Sequence, residues 1–165
     1  MAVIFSRNYF SSLMHGGEPK PEIFLAGPTP RTSGEPSWRH KAIGLFDRVS
    51  KYVNLLIPEE PRGGLSGMDD PDKYEDQVEW EHTGLKRAAV IMFWIPRDLE
   101  RMPGFTTNIE FGMYMQSGKI VVGAPSEAKK MSYIRECCAR YNIPLTSTLE
   151  GTVQSSLELL DRIHK

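Results

Sequence analysis

Glu110 is the residue whose position in this chain best suits chemistry. It follows a strand-like run, residues 88–95, and a loop that contains Pro103 and Gly104, and helical spacing extends over residues 109–116. Open α/β sheets bind ligands outside the carboxyl ends of their strands, so this order predicts that the carboxylate lies at a ligand site. The positive end of a helix lowers the pKa of a carboxylate and keeps it ionised. An ionised, fixed carboxylate can attack an electrophilic sugar carbon and form a covalent glycosyl-enzyme.

A structural interpretation of Glu110 is also open. Thr107, Asn108, Ile109 and Glu110 match a capping box, in which the glutamate satisfies an unpaired N–H at the helix start. On the sequence pattern alone, the capping box is the commoner interpretation, and the nucleophile is the alternative.

A second group of carboxylates lies at Glu79 and Glu81, on either side of Trp80. Helical spacing places Gln77 and Glu81 on one face. The plain interpretation is a solvated acidic half of a helix with Trp80 in the core. The functional interpretation makes one of these carboxylates the group that holds or protonates a leaving group. Two carboxyls are the minimum set for cutting a glycosidic bond through an oxocarbenium-like transition state.

Three arginines could contact a phosphate: Arg31, Arg39 and Arg97. The guanidinium fork suits phosphate oxygens. For each of them, surface solubility or an ion pair with Asp98 or Glu100 is the alternative.

Composition excludes several classes of protein. The formal net charge is −1, from 20 basic and 21 acidic residues among 165, which argues against binding a nucleic acid polymer. The longest apolar run is about eight residues, too short to span a bilayer, and no signal peptide is expected. The adjacent Cys137 and Cys138 favour a reducing, cytoplasmic setting. The histidines show no ligand spacing, so we expect no metal and no cofactor.

Strands and helices alternate along the chain from residue 22. This rhythm predicts an α/β, Rossmann-like, five-stranded parallel sheet with helices on both faces. Residues 1–21 are predicted to be an N-terminal extension that adds an edge strand, covers a neighbour or is disordered, and residues 22–165 a single domain.

Residues 58–73 are predicted to form a long Pro/Gly-rich loop. Ser37 is the predicted N-cap of the first helix, and Ser147 with Glu150 the capping box of the last. The predicted strands are 22–26, 52–57, 88–95, 119–123 and 143–145, and the predicted helices 38–49, 74–87, 109–116, 131–141 and 149–164.

The order of these motifs resembles the nucleoside 2-deoxyribosyltransferase-like family. The resemblance covers roughly residues 22–125. It is carried by IFLAGP at 23–28, WR at 38–39, PE at 58–59, VEWEH at 78–82, FWIPRD at 93–98 and PGFTTNIEFG at 103–112.

The resemblance implies a flavodoxin-like fold, a small-molecule nucleoside or nucleotide as ligand, and a homo-oligomer whose sites are completed by a neighbour. It implies that Glu110, with Gly112 in a "Glu-x-Gly" element, is the nucleophile of a double displacement that transfers deoxyribose between bases. Glu81 is the closest match to the helix acid that contacts substrate, and Glu79 is second. The remaining predicted substrate contacts are Gly27, Pro28, Arg97, Asp98, Thr107 and Asn108.

The chain departs from the family pattern at two places. Gly104 stands where many transferases carry an aspartate, and the C-terminal asparagine that a neighbour donates has no clear counterpart. Three alternatives therefore stay open: a nucleoside 5′-monophosphate N-glycosidase, a nucleotide-binding module without turnover, and a glycohydrolase acting on a dinucleotide such as NAD.

Overall fold

The computed structural model describes residues 1–6, 20–31, 36–50, 52–59 and 71–164, with residues 71–73 described by their backbone. Within these ranges, six strands and five helices follow one another. In chain order they are β1 Ala2–Phe5, β2 Glu22–Ala26, α1 Trp38–Val49, β3 Asn54–Ile57, α2 Pro71–Arg87, β4 Val90–Trp94, α3 Phe105–Tyr114, β5 Ile120–Gly123, α4 Ser132–Arg140, β6 Leu145–Thr146 and α5 Leu149–Ile163.

The strands form one parallel sheet in the order β1-β3-β2-β4-β5-β6. The predicted count of five strands is corrected to six, because Ala2–Phe5 pairs with β3 as an edge strand. The other five strands follow the flavodoxin-like order, in which the direction of winding reverses between β2 and β4. Ligands of doubly wound sheets bind at that switch point, outside the carboxyl ends of these two strands.

Both faces of the sheet are covered by helices, as predicted. Successive strand residues point to opposite faces. Phe24 and Phe93 belong to the core beneath α2, α3 and α4, whereas Leu25 and Met92 belong to the core beneath α1 and α5. Burial on both sides explains why β4, Val90–Trp94, is apolar at every position. Trp80 packs against Phe24 with 5.9 Å between ring centroids, as its core interpretation predicts.

The first and last helices of the described chain are each capped by a hydroxyl side chain. The Ser37 hydroxyl accepts a hydrogen bond from the N–H of Arg39, so the predicted N-cap of α1 is confirmed. The predicted capping box of Ser147 and Glu150 is wrong. Thr148 caps α5 instead, because its backbone is extended and its Oγ1 accepts from the N–H of Gly151 at 3.1 Å.

Helix α3 begins four residues earlier than predicted. Gly104 is its N-cap in a left-handed conformation, with φ 67°, and no side chain of the described residues caps the helix start. The proposed capping box of residues 107–110 is therefore wrong, and Glu110 lies in the second turn of the helix.

Among the described residues, no helix has both the length and the apolar character needed to cross a membrane. In the same ranges, His, Cys, Asp and Glu side chains form no group of three or more that could hold a metal ion. Cys137 and Cys138 are buried free thiols.

Candidate active site

The Glu110 carboxyl is buried beneath α3, with a residue exposure of 9%. Burial, and to a smaller extent the negative charge of Glu81, raise its pKa to about 8 against the opposing positive charge of Arg39. The expectation that the helix dipole keeps Glu110 ionised is wrong. The dipole acts mainly within the first turn, and Glu110 lies beyond it, where burial has the largest effect on its pKa.

Glu81 faces the same region from α2. Its Oε1 accepts a hydrogen bond from the Gln77 side chain at 2.7 Å, which confirms that these two residues share a helix face. Burial raises the pKa of Glu81, and the Gln77 hydrogen bond and the charges of Arg39 and His82 partly offset that rise. Because the charge of Glu81 acts on Glu110, the two carboxyls titrate as a pair. Burial and that charge together favour the protonated form of Glu110 over a range in which free carboxyls are ionised.

Arg39 is almost completely buried, and its guanidinium is bonded to protein atoms. Nε donates to Leu25 O at 2.9 Å, Nη2 to Gly27 O at 2.7 Å and Nη1 to Thr29 Oγ1 at 3.2 Å. Nη1 also forms a buried ion pair with Glu59. These bonds connect the first turn of α1 to the ends of β2 and β3. They also use the guanidinium N–H groups that would otherwise bind a phosphate.

The Gly27–Pro28 turn lies directly against the end of β4. Gly27 has φ 146°, and an added Cβ there would lie 2.1 Å from Trp94 O and 2.9 Å from the Trp38 ring. The Trp38 Nε1–H donates to Pro28 O at 3.0 Å. Only glycine permits this close approach, which places backbone polar groups along the wall of the switch-point crevice.

Gly104 touches the other side of the same wall. A Cβ on Gly104 would be 3.3 Å from Pro28 Cβ and 3.4 Å from Thr107 Oγ1. Its φ of 67° lies in the left-handed region, which favours glycine.

Arg97 connects α3 to the loop before α4. Its Nη2 bonds to Asn108 Oδ1, and its Nη1 donates to Lys130 O at 3.2 Å. Its Nε is buried without a hydrogen-bond partner among the described residues, and burial lowers the pKa of the guanidinium. Arg97 therefore orients Asn108 directly, and Thr107, one residue earlier, is buried.

Three predicted site residues make their contacts, within the described ranges, away from this cluster. Glu79 is exposed and accepts a hydrogen bond from Thr83 Oγ1 at 3.4 Å. Asp98 closes its own loop, accepting from the N–H groups of Glu100 at 3.0 Å and Arg101 at 2.9 Å. Gly112 is exposed, with open space where a Cβ would stand.

Sequence reasoning missed the Arg39–Glu59 pair. It predicts Arg39 as a phosphate contact and includes Glu59 only in the PE motif at 58–59. A signal is nevertheless present, because an arginine two residues after a helix N-cap and a glutamate directly after a strand and a proline both stand at the carboxyl edge.

No curated protein matches the sequence significantly. The family model described as "nucleoside 2-deoxyribosyltransferase like" matches residues 20–128, which are 109 of the 165 residues. The matched segment contains the switch point between β2 and β4 and both carboxyls of the buried pair. The chain therefore belongs to the nucleoside 2-deoxyribosyltransferase-like family.

Proposed function

We propose that this protein breaks the N-glycosidic bond of a (deoxy)nucleoside and transfers the deoxyribosyl group to a second base through Glu110. The carboxyl pair of Glu81 and Glu110 carries the proposal. It supplies one ionised and one protonated carboxyl beside the crevice where sheets of this kind bind ligands.

The first half of the reaction uses both carboxyls. An ionised Glu110 oxygen bonds to C1′ as the bond from C1′ to the base nitrogen breaks. The electron pair of that bond leaves with the base, and a protonated Glu81 donates a proton to it. In the second half, the acceptor base attacks C1′ and releases Glu110 while Glu81 takes a proton back. Water in place of the acceptor gives hydrolysis.

Ionisation of Glu110 is the demanding requirement of this scheme. Its pKa of about 8 leaves it largely protonated at neutral pH. Productive turnover therefore needs the single proton of the pair to reside on Glu81, and the rate should fall as pH rises through about 8 and the pair loses that proton.

Backbone groups of Gly27 and Pro28 would bind the flat base, since glycine lets a ligand approach the backbone closely. Thr107 and Asn108 would face the sugar from the helix that carries Glu110, with Arg97 acting through Asn108. Glu79, Asp98 and Gly112 stay predicted contacts that no hydrogen bond among the described residues links to the pair.

The monophosphate N-glycosidase alternative depends on Arg31. The guanidinium groups of Arg39 and Arg97 are bonded to protein atoms, whereas Arg31 is exposed, with its guanidinium carbon 5.7 Å from the centroid of the Phe105 ring. If phosphate is required, Arg31→Ala should reduce hydrolysis of monophosphates and leave reaction of uncharged nucleosides unchanged.

A binding module without turnover is the second candidate. Two observations favour it: the protonated state of Glu110 at neutral pH, and Gly104 at the position where many transferases carry an aspartate. Tight nucleotide binding with no release of base would support this candidate.

We also propose a homo-oligomer. Phe105, Ile109 and Met113 stand on successive turns of α3 with exposures of 69%, 65% and 54%. An apolar stripe of this kind is typical of a surface covered by another chain, and it lies on the helix that carries Glu110. Light scattering should show an oligomer that Ile109→Glu dissociates.

The test is a panel of deoxynucleosides and their monophosphates, with and without a free acceptor base, analysed by chromatography with Glu110→Ala as control. A new nucleoside that forms only with acceptor establishes transfer. Free base with sugar or sugar phosphate establishes hydrolysis. Products that form equally well with Glu110→Ala would contradict the proposal.

A further inference from the structure

Arg39 is connected to Glu81 through side chains and backbone at the carboxyl edge of the sheet. It pairs with Glu59, which follows β3. The neighbouring Pro58 O accepts from Gln77 Nε2 at 3.4 Å, and Gln77 Nε2 also donates to Glu81 at 2.7 Å. The same guanidinium holds Leu25 O, Gly27 O and Thr29 Oγ1 on the opposite wall.

We propose that Arg39 is the positioning residue of this site: it touches the wall and not the substrate, fixes the turn after β2, and supplies the permanent positive charge that keeps one carboxyl of the Glu81–Glu110 pair ionised. This inference rests on the proposed function for its kinetic consequences. Its electrostatic part concerns the protein alone.

The charged groups around Glu110 support this role. Glu81 acts on it from α2 and disfavours its ionisation, and Arg39 acts on it from α1 and favours it. Glu59, beyond the end of β3, is paired with Arg39, and His82 on α2 acts on Glu81. Arg39 is therefore the one cation among the described residues that lowers the pKa of both members of the pair.

Two variants separate the charge of Arg39 from its hydrogen bonds. Arg39→Lys keeps the charge but cannot reproduce the fork to Leu25, Gly27 and Thr29. Removing Arg39 alone would leave Glu59 as an unpaired buried carboxylate, so the second variant is the double substitution Arg39→Met with Glu59→Gln. Arg48→Met, an exposed arginine in the last turn of the same helix, is the matched control.

The primary readout is the titration of the Glu110 carboxyl by NMR of ¹³C-glutamate-labelled protein, assigned with Glu110→Gln. We expect the titration midpoint to move to higher pH in the double variant and to stay near that of the wild type in Arg39→Lys and Arg48→Met. An unchanged midpoint in the double variant, or an equal displacement in Arg39→Lys, would overturn the inference.

The pH–rate profile is the second readout. We expect the fall in kcat at alkaline pH to move to higher pH in the double variant, together with its Glu110 midpoint. Arg39→Lys should lower kcat at every pH without displacing the pH dependence. The lysine keeps the positive charge but loses the hydrogen bonds that fix the turn after β2. Absence of any N-glycosidic activity in the wild type would remove the proposed function, yet the NMR midpoints would still decide the role of Arg39. N-glycosidic activity in the wild type, together with a Glu110 midpoint that does not move in the double variant, would support the proposed function and overturn the role of Arg39.

Discussion

Glu81 on α2 and Glu110 on α3 interact across the packed face of the sheet, so that the charge of Glu81 adds to burial in raising the pKa of Glu110 to about 8. The two residues are 29 positions apart in the sequence. They meet because α2 and α3 cover the same face, with Trp80 and Phe111 anchoring them in one core. Burial disfavours the ionised form of both carboxyls and raises the pKa of each.

The stability of the protein should fall as pH rises from about 5 to about 8. The pKa of Glu110 is raised in the folded state, so its stabilising effect is complete below the ordinary value of 4.5 and is lost as pH increases through about 8. Glu110→Gln removes this loss and should be more stable than the wild type at pH 8 by on the order of 3 kcal/mol, with a smaller difference at pH 5. Urea unfolding at both pH values measures it. Equal differences at the two pH values would show that Glu110 titrates normally.

The rate of base release should fall as pH rises through an apparent pKa near 8, since the pair then loses its only proton and no donor remains for the leaving base. In Glu81→Gln the donor is absent at every pH, so this fall should disappear, while kcat is reduced by about 10²–10⁴. Initial rates between pH 5 and pH 9 test both effects. A fall near pH 8 that persists in Glu81→Gln would mean that the proton lost there does not belong to the pair.

Gly27→Ala should destabilise the protein by at least about 2 kcal/mol, because strain at positive φ and overpacking each cost about 1–3 kcal/mol. The new Cβ would lie 2.1 Å from Trp94 O. Gly44→Ala is the matched control, since α1 leaves open space there, and it should stabilise the helix by up to about 1 kcal/mol. Denaturant unfolding of the two variants gives the comparison. Similar stabilities would mean that the turn after β2 does not press against β4.

Thr148→Ala should cost about 1 kcal/mol of stability, because the Thr148 hydroxyl caps α5 by accepting from the N–H of Gly151. The neighbouring Ser147→Ala removes a hydroxyl of similar size from an exposed residue and should change stability by less than about 0.5 kcal/mol. Thermal unfolding of both variants measures the difference. A larger loss of stability in Ser147→Ala than in Thr148→Ala would contradict the Thr148 cap and support the capping box predicted from sequence.

The core of the sheet can be predicted from sequence because its signals are local. The apolar run of β4 and the glycine and proline after β2 each encode one element and its end. Helix α1 is predicted at its observed bounds because Ser37 marks its start and its apolar residues repeat at helical spacing. The sequence of β1 fits an edge strand as one of three alternatives, since a four-residue strand carries little pattern of its own.

The electrostatics of the site could not be predicted, because they depend on contacts between distant segments. The sequence places Glu110 near a helix start, where a dipole would lower its pKa. The left-handed Gly104 starts the helix earlier, so Glu110 lies beyond the first turn. Burial then raises the pKa of Glu110, whereas the helix dipole would have lowered it. The ion pair of Arg39 with Glu59 joins residues 20 positions apart through a loop and a strand, and no local periodicity specifies it.

The most direct test of the central claim is to look for a covalent intermediate on Glu110. The protein is mixed with a deoxynucleoside without an acceptor base, quenched in acid within the first turnover and analysed by peptide mass spectrometry. We predict a deoxyribosyl ester on the peptide that contains Glu110, with one equivalent of base released and no adduct in Glu110→Gln. Undiminished base release by Glu110→Gln, or an adduct on a peptide that lacks Glu110, would contradict the proposed mechanism.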